Sequence, residues 1–275
     1  MAVNRLPGAV TWIDVLAPYP QLIRAGYRRY AGYRQAALAG LFTNLVFGLL
    51  RAAVLAAVLA ERGTVAGYDL ATATTYVWLG QGLLAVVLLW GNTEFSDRVR
   101  SGDIVVDLGR PWDLQTAQLA TDLGRAGAAV GIRLLPPIAV GALFFPFRWP
   151  AWPLTWLVFA LSVLLGVVVS FAIRFLLSCT AFWLLDARGT MALWGASSGV
   201  LTGLVVPLSW FPAWAQQVLW WTPFPAVLQS PIDAFTERGD PLGLLAHQLV
   251  WAAVLLLMGR AMLARGIRRL VVQGG

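Results

Sequence analysis

Residues 70–90 read LATATTYVWLGQGLLAVVLLW, and residues 94–113 read EFSDRVRSGDIVVDLGRPWD. The first stretch has the length and apolarity of a bilayer crossing, which needs about twenty predominantly apolar residues. The second gathers five of the thirteen acidic residues and three of the twenty arginines into one interval between long apolar runs. It begins with a charged helical turn, stops at Gly102, continues through the β-branched run Ile104, Val105 and Val106, and ends at Arg110-Pro111. A plain connector between helices needs only a handful of residues, so a segment with its own glycine stop and apolar ridge reads as a cytoplasmic docking element.

Composition supports the membrane reading. Hydrophobic residues make up 59% of the chain and charged residues only 12%, half of what a soluble domain uses to cover its surface. Besides residues 70–90, five segments are long and apolar enough to cross: 36–60, 117–145, 152–185, 191–210 and 242–263. The expected fold is an all-α integral membrane protein with six transmembrane helices. The third and fourth spans exceed the bilayer thickness, which implies tilt or extension beyond it, and Pro136-Pro137 supplies a kink in the third.

Before the first span, Trp12, Val15, Leu16, Tyr19, Leu22, Ile23, Tyr27 and Tyr30 form one apolar helical face interrupted by Pro18 and Pro20, with Arg24 and Arg28 on the back. This predicts a helix lying in the inner interface. After the fifth span, Pro212, Pro223, Pro225 and Pro231 break an aromatic segment into external re-entrant or interfacial helices, with Trp210, Trp214, Trp220 and Trp221 suited to the headgroup layer. The division is residues 1–35 as the cytoplasmic interfacial segment, 36–265 as the transmembrane domain and 266–275 as a cytoplasmic tail. The docking loop 94–113 and an external cap 211–240 lie within the domain.

Orientation follows from arginine. With the N-terminus inside, fourteen of twenty arginines lie on the cytoplasmic side and only Arg62, Arg148 and Arg238 on the other. The positive-inside rule therefore places both termini in the cytoplasm, with the N-terminus retained rather than cleaved. Arg51, Arg133 and Arg174 fall inside spans, where a charge faces a translocation path, pairs within the protein, or snorkels to the headgroups. With them, Asn44, Gln81 and Asn92 are polar groups fit for bonding between helices or to cargo. The substrate-path candidates are Asn44, Arg51, Gln81, Arg133 and Ser197.

Several chemistries are excluded. The sequence has no lysine, so it holds neither a Walker A loop nor a Schiff-base nucleophile. One histidine and one cysteine, His247 and Cys179, offer no metal-ligand spacing and no internal disulfide. The positive charge is scattered beside apolar spans, which fits anionic headgroups and not nucleic acid. Gly195-Ala196-Ser197-Ser198-Gly199 matches G-x-S-x-G, but an intramembrane protease would need His247 as base with an orienting acid that is not evident beside it. Gly195, Gly199 and Gly203 recur every fourth residue, so helix packing accounts for the same motif.

Three stretches carry a family resemblance: RSGDIVVDLGRP at 100–111, AFWLLD at 181–186 followed by Arg188-Gly189, and GLVVPLSWFPAW at 203–214 leading to TPFP at 222–225 and Pro231. Together the chain resembles ABC-2 type exporter permeases, in particular the compact six-helix group described as viologen- or multidrug-exporter-like, with the type V exporter architecture. The resemblance implies a permease subunit in a bacterial inner membrane that binds no cofactor itself. It would work with two copies of a separate ABC ATPase subunit holding ATP and magnesium, and with a second permease chain, identical or related. It implies ATPase coupling through the N-terminal helix and through Glu94, Asp97, Arg98, Arg100, Gly102, Asp103, Asp107 and Arg110. The second and fifth spans would line the path, the segment after the fifth would form the external gate, and the cargo would be a hydrophobic or amphipathic compound, a cationic drug or a lipid among them. An ATP-independent secondary transporter or channel, and the intramembrane serine protease, are the alternatives.

Overall fold

The computed structural model describes residues 16–91, 93–184 and 187–273. Trp12, Val15, Asn92 and the Leu185-Asp186 end of one family-like stretch lie outside them. Twelve α-helices account for the described residues: α1 (Pro18–Gly32), α2 (Arg34–Arg62), α3 (Leu70–Val86), α4 (Glu94–Ser101), α5 (Ile104–Leu108), α6 (Leu114–Ala129), α7 (Leu135–Phe144), α8 (Pro153–Cys179), α9 (Arg188–Leu201), α10 (Ala213–Trp220), α11 (Gln229–Phe235) and α12 (Pro241–Gln273).

Four helices are apolar and long enough to cross a membrane: Gln35–Arg62, Leu114–Phe144, Pro153–Phe182 and Pro241–Arg269. The other two expected spans are shorter. Helix α3 has 17 residues, and the fifth span is helical for 14, ending at Leu201 because Gly203 turns the chain at φ 82° and Pro207 follows.

Local chemistry sets the helix ends. Pro18 opens α1 instead of interrupting it, since the first turn of a helix has no use for the missing N–H. Asp69 and Asp113 cap α3 and α6 by accepting from Thr72 N and Thr116 N, both at 2.8 Å. Pro136 and Pro137 do not break the third span. A π-helical turn at Val130–Leu134 precedes them, and α6 and α7 continue as one 31-residue helix.

Helix α3 is the centre of the fold, with every residue from Thr72 to Leu83 buried. It packs on α2 through Trp78 against Gly48, and on α7 through the same indole against Gly141. Helices α8 and α12 run in the same direction, with Ser162 beside Gln248, Phe175 beside Gly259 and Phe182 beside Gly266. Gln248 is fully buried and all its amide bonds are used: it donates to Ser162 O at 2.9 Å and Ala226 O at 2.8 Å, and accepts from Ser162 Oγ at 2.8 Å. Helix α1 packs along α6 at backbone contact, Gly26 against Thr121 and Gly124 against Ile23.

The segment expected as an external cap divides into an exposed helix and a buried one. Helix α10 exposes Trp214, Trp220 and Trp221 as an aromatic belt does, but α11 is buried, with Phe235 among Phe147, Trp149, Trp156 and Phe159. Gly166 of α8 makes the room, since a Cβ there would lie 2.8 Å from Val227 O.

Candidate coupling surface and charged cavity

The loop between α3 and α6 is built as two short helices clamped to the base of the bundle. Helix α4 buries Phe95, Ser96 and Val99, and α5 buries Ile104. These residues pack with Leu114, Phe171, Phe175, Cys179 and Leu263 as a small second core. Gly102 ends α4 at φ 86°, a left-handed position that only glycine adopts at little cost. The expected ridge of Ile104, Val105 and Val106 divides: Ile104 is the anchor, and Val105 and Val106 stand exposed beside the charges. A five-residue helix points its successive side chains around a cylinder, so three consecutive residues cannot share one face.

The charges are ordered by pairing. Glu94 meets Arg29 of α1 at 3.0 Å, and Asp97 accepts from Thr93 Oγ1 at 2.8 Å with Arg100 at 3.7 Å. Asp107 lies between Arg98 at 2.6 Å and Arg110 at 3.6 Å, and Arg110 sits over the Trp112 ring at 5.4 Å. Asp103 accepts from Ser101 Oγ at 2.7 Å. The structure thus brings all eight residues of the docking reading, including the Gly102 stop, into one element.

Behind this element lies a cavity of about 510 Å³ between α1, α4, α6 and α8. Arg29, Glu94 and Arg110 at its mouth are about half exposed or more, while on its wall Asp122 and Arg174 are buried and Arg125 is mostly so. Asp122 bridges the two guanidiniums, 2.6 Å from Arg125 Nε and 2.8 Å from Arg174 Nη2. Arg125 also donates to Ala85 O at 2.7 Å and Val86 O at 2.8 Å, closing the C-terminal end of α3 where the helix dipole is negative. Arg174 is therefore a paired interior residue and does not snorkel. Asp122 is absent from the sequence reading; its signal is an acid three residues before Arg125 in an apolar span.

The path candidates separate. Asn44 donates to Gln81 O at 2.8 Å, and Arg51 donates to Leu204 O at 3.0 Å. With its amide placed to satisfy both ends, Gln81 donates to Asn44 O at 3.2 Å and accepts from Arg51 Nη1 at 2.9 Å. These three form one network joining α2, α3 and the turn after α9. Arg133 is apart, lying on Gly40, where a Cβ would meet its Nη1 at 2.4 Å. Ser197 bonds to Leu193 O of its own helix at 2.8 Å, while His247 bonds to Trp220 O at 2.8 Å and stacks on that indole. Neither side chain is engaged with the other, and no protease constellation forms. Of the glycine ladder, Gly203 is past the helix end, Gly199 faces Val205 and Trp90, and Gly195 meets nothing within 4 Å in this chain.

At the opposite end of the bundle, Gln229 donates to Asp233 Oδ1 at 2.8 Å and accepts from Leu208 N at 3.2 Å. Arg238 donates to Ala66 O and Gly67 O, both at 2.8 Å, and lies over Tyr68 at 4.1 Å. Withdrawal from water pushes the Asp233 carboxyl up to about 7, opposed by the Gln229 hydrogen bond and by Arg238.

A family model described as ABC-2 family transporter protein matches residues 45–274. The chain belongs to the ABC-2 transporter family. No curated protein matches the sequence. This ABC-2 protein is thus a multi-pass membrane protein and a permease subunit of an ABC transporter, a transport component of a kind that works with ATPase subunits. The match begins inside α2 and runs through α12, so α4, α5, most of the charged cavity and the network around Gln229 lie within the family domain, while α1 lies outside it.

Proposed function

We propose that this ABC-2 permease exports a hydrophobic or amphipathic compound from a bacterial cytoplasmic membrane, driven by ATP hydrolysis in two copies of a separate subunit. It pairs with a second permease chain, and both its termini are cytoplasmic, with α3 and α9 completing six crossings. The observation that carries this reading is the clamp beneath α4 and α5. Phe95, Val99 and Ile104 fix the element to the bases of α8 and α12, while Val105, Val106 and the Asp97–Arg100 pair are exposed. A load applied by an ATPase at that surface is transmitted to two long helices at once, which is how a distant hydrolysis event biases a permease between inward- and outward-open states. The cavity behind the element is the entry site for cargo, and the α10–α11 segment is the external gate.

The test is reconstitution with an ABC ATPase subunit in proteoliposomes. Asp97→Arg and Arg100→Glu are expected to leave ATP hydrolysis running while transport falls several-fold. Unaltered transport by both variants overturns the docking assignment, and transport under an ion gradient with no ATPase present overturns the ATP-driven reading.

A further inference from the structure

Building on the permease reading, we infer that the cytoplasmic cavity is selective for an anionic, phosphate-type headgroup on an amphipathic molecule. Five arginines and three carboxylates line it. Asp107 is shared by Arg98 and Arg110, and Asp122 by Arg125 and Arg174, so each Arg–Asp–Arg triad keeps one net positive charge. A carboxylate held between two guanidiniums belongs to a triad of net positive charge, which repels a cationic ligand. The guanidiniums have capacity left for an acceptor. Arg174 is only 4% exposed and lines the cavity, yet its Nε has no hydrogen-bond partner, an arrangement that costs free energy unless an acceptor arrives. Arg110 at the mouth is about half exposed and meets Asp107 only at 3.6 Å. Phe171, Phe175 and Leu22 supply apolar wall beside these charges. Two net positive charges, planar forked donors and an apolar wall together match a phosphate ester carrying a hydrocarbon chain, and oppose a drug cation.

The same phosphate chemistry occurs on a membrane lipid or on a soluble anion, and one binding experiment separates them. The full-length permease, in nanodiscs of zwitterionic lipid and without an ATPase, is titrated with radiolabelled dodecyl phosphate and, in parallel, with dodecyltrimethylammonium. Saturable binding of the phosphate is expected, weakened about tenfold by Arg110→Gln, the order of one charge-assisted hydrogen bond. Arg110 has an exposed side chain, so this variant reports on the site even where the buried Arg174→Gln fails to fold. Displacement by phosphatidic acid placed in the disc supports a lipid occupant, and displacement by inorganic phosphate supports a soluble one. No saturable phosphate binding, tighter binding of the ammonium, displacement by neither competitor, or unchanged affinity in Arg110→Gln overturns the inference. Because no ATPase is present, any of these leaves the coupling test above standing.

Discussion

At Asp122 a single buried carboxylate compensates two guanidiniums, Arg174 buried and Arg125 mostly withdrawn from water, and that asymmetry fixes what its replacement does. Asp122→Ala leaves Arg125 and Arg174 facing each other without a counter-charge, which costs about 3–5 kcal/mol when one partner of a buried pair is lost. Thermal unfolding of the detergent-purified protein should show a large fall in midpoint, with little folded material recovered. Asp122→Asn combined with Arg174→Gln should be milder than the sum of the two single changes, because the double variant removes charge from both sides of the pair. Additive losses would show that the pair does not interact. Arg125 is expected to be the less replaceable of the two arginines, since it also closes the end of α3. Pairing of Arg174 within the protein was open from the sequence, but its partner was not legible there. Arg174 and Asp122 are 52 residues apart, and nothing in either helix alone says which residue will stand opposite.

Among the elements, the coupling helices and the buried cap helix make different demands. Gly102 holds φ 86°, so Gly102→Ala places a Cβ in the left-handed region at a cost of roughly 1 kcal/mol. The α4–α5 angle should loosen, read as faster amide exchange in residues 94–108 with the rest of the protein unchanged; equal exchange would remove the glycine from the argument. In α11, a folded-state value of about 7 for Asp233 against about 3.9 unfolded means that the native protein holds the extra proton between those limits. Stability contributed there falls as pH rises from about 4 to about 7 and is flat above. Asp233→Asn should therefore raise the unfolding midpoint by a few degrees at pH 8 and leave it nearly unchanged at pH 4, with Tyr68, Tyr76 and Arg238 the other charged or titratable groups near that carboxyl. An equal shift at both pH values would mean that the carboxyl does not titrate in this window. The glycine stop at Gly102 was legible because a local rule fixes it. Whether a helix of the segment after the fifth span would be re-entrant or interfacial was not, because tertiary contact decides it: Gly166 leaves the room in which the chain just before α11 packs.

For the whole molecule, the apolar runs and the arginine bias were readable because a bilayer imposes both on any chain that crosses it. What composition does not give is which side of each helix meets lipid, and the structure raises that question for the coupling element. Cys179 is the only cysteine in the sequence and is completely buried, so the native chain has no accessible thiol. A cysteine introduced at an exposed position then reports its own side of the membrane. Val105→Cys, on the outer surface of α5, should react with a membrane-impermeant maleimide in inside-out vesicles and not in intact cells. Trp221→Cys, beyond α10, should react in intact cells and not from the inside. Addition of an ATPase subunit to the inside-out vesicles should slow labelling at Val105→Cys several-fold while leaving a cysteine at exposed Arg268 on α12 unaffected. Labelling of Val105→Cys in intact cells would invert the topology, and with it the coupling role, because ATP and its hydrolase are found only on the cytoplasmic side. Correct sidedness without protection would keep the topology and relocate the docking surface, leaving α1 with Arg29 as the next place to look.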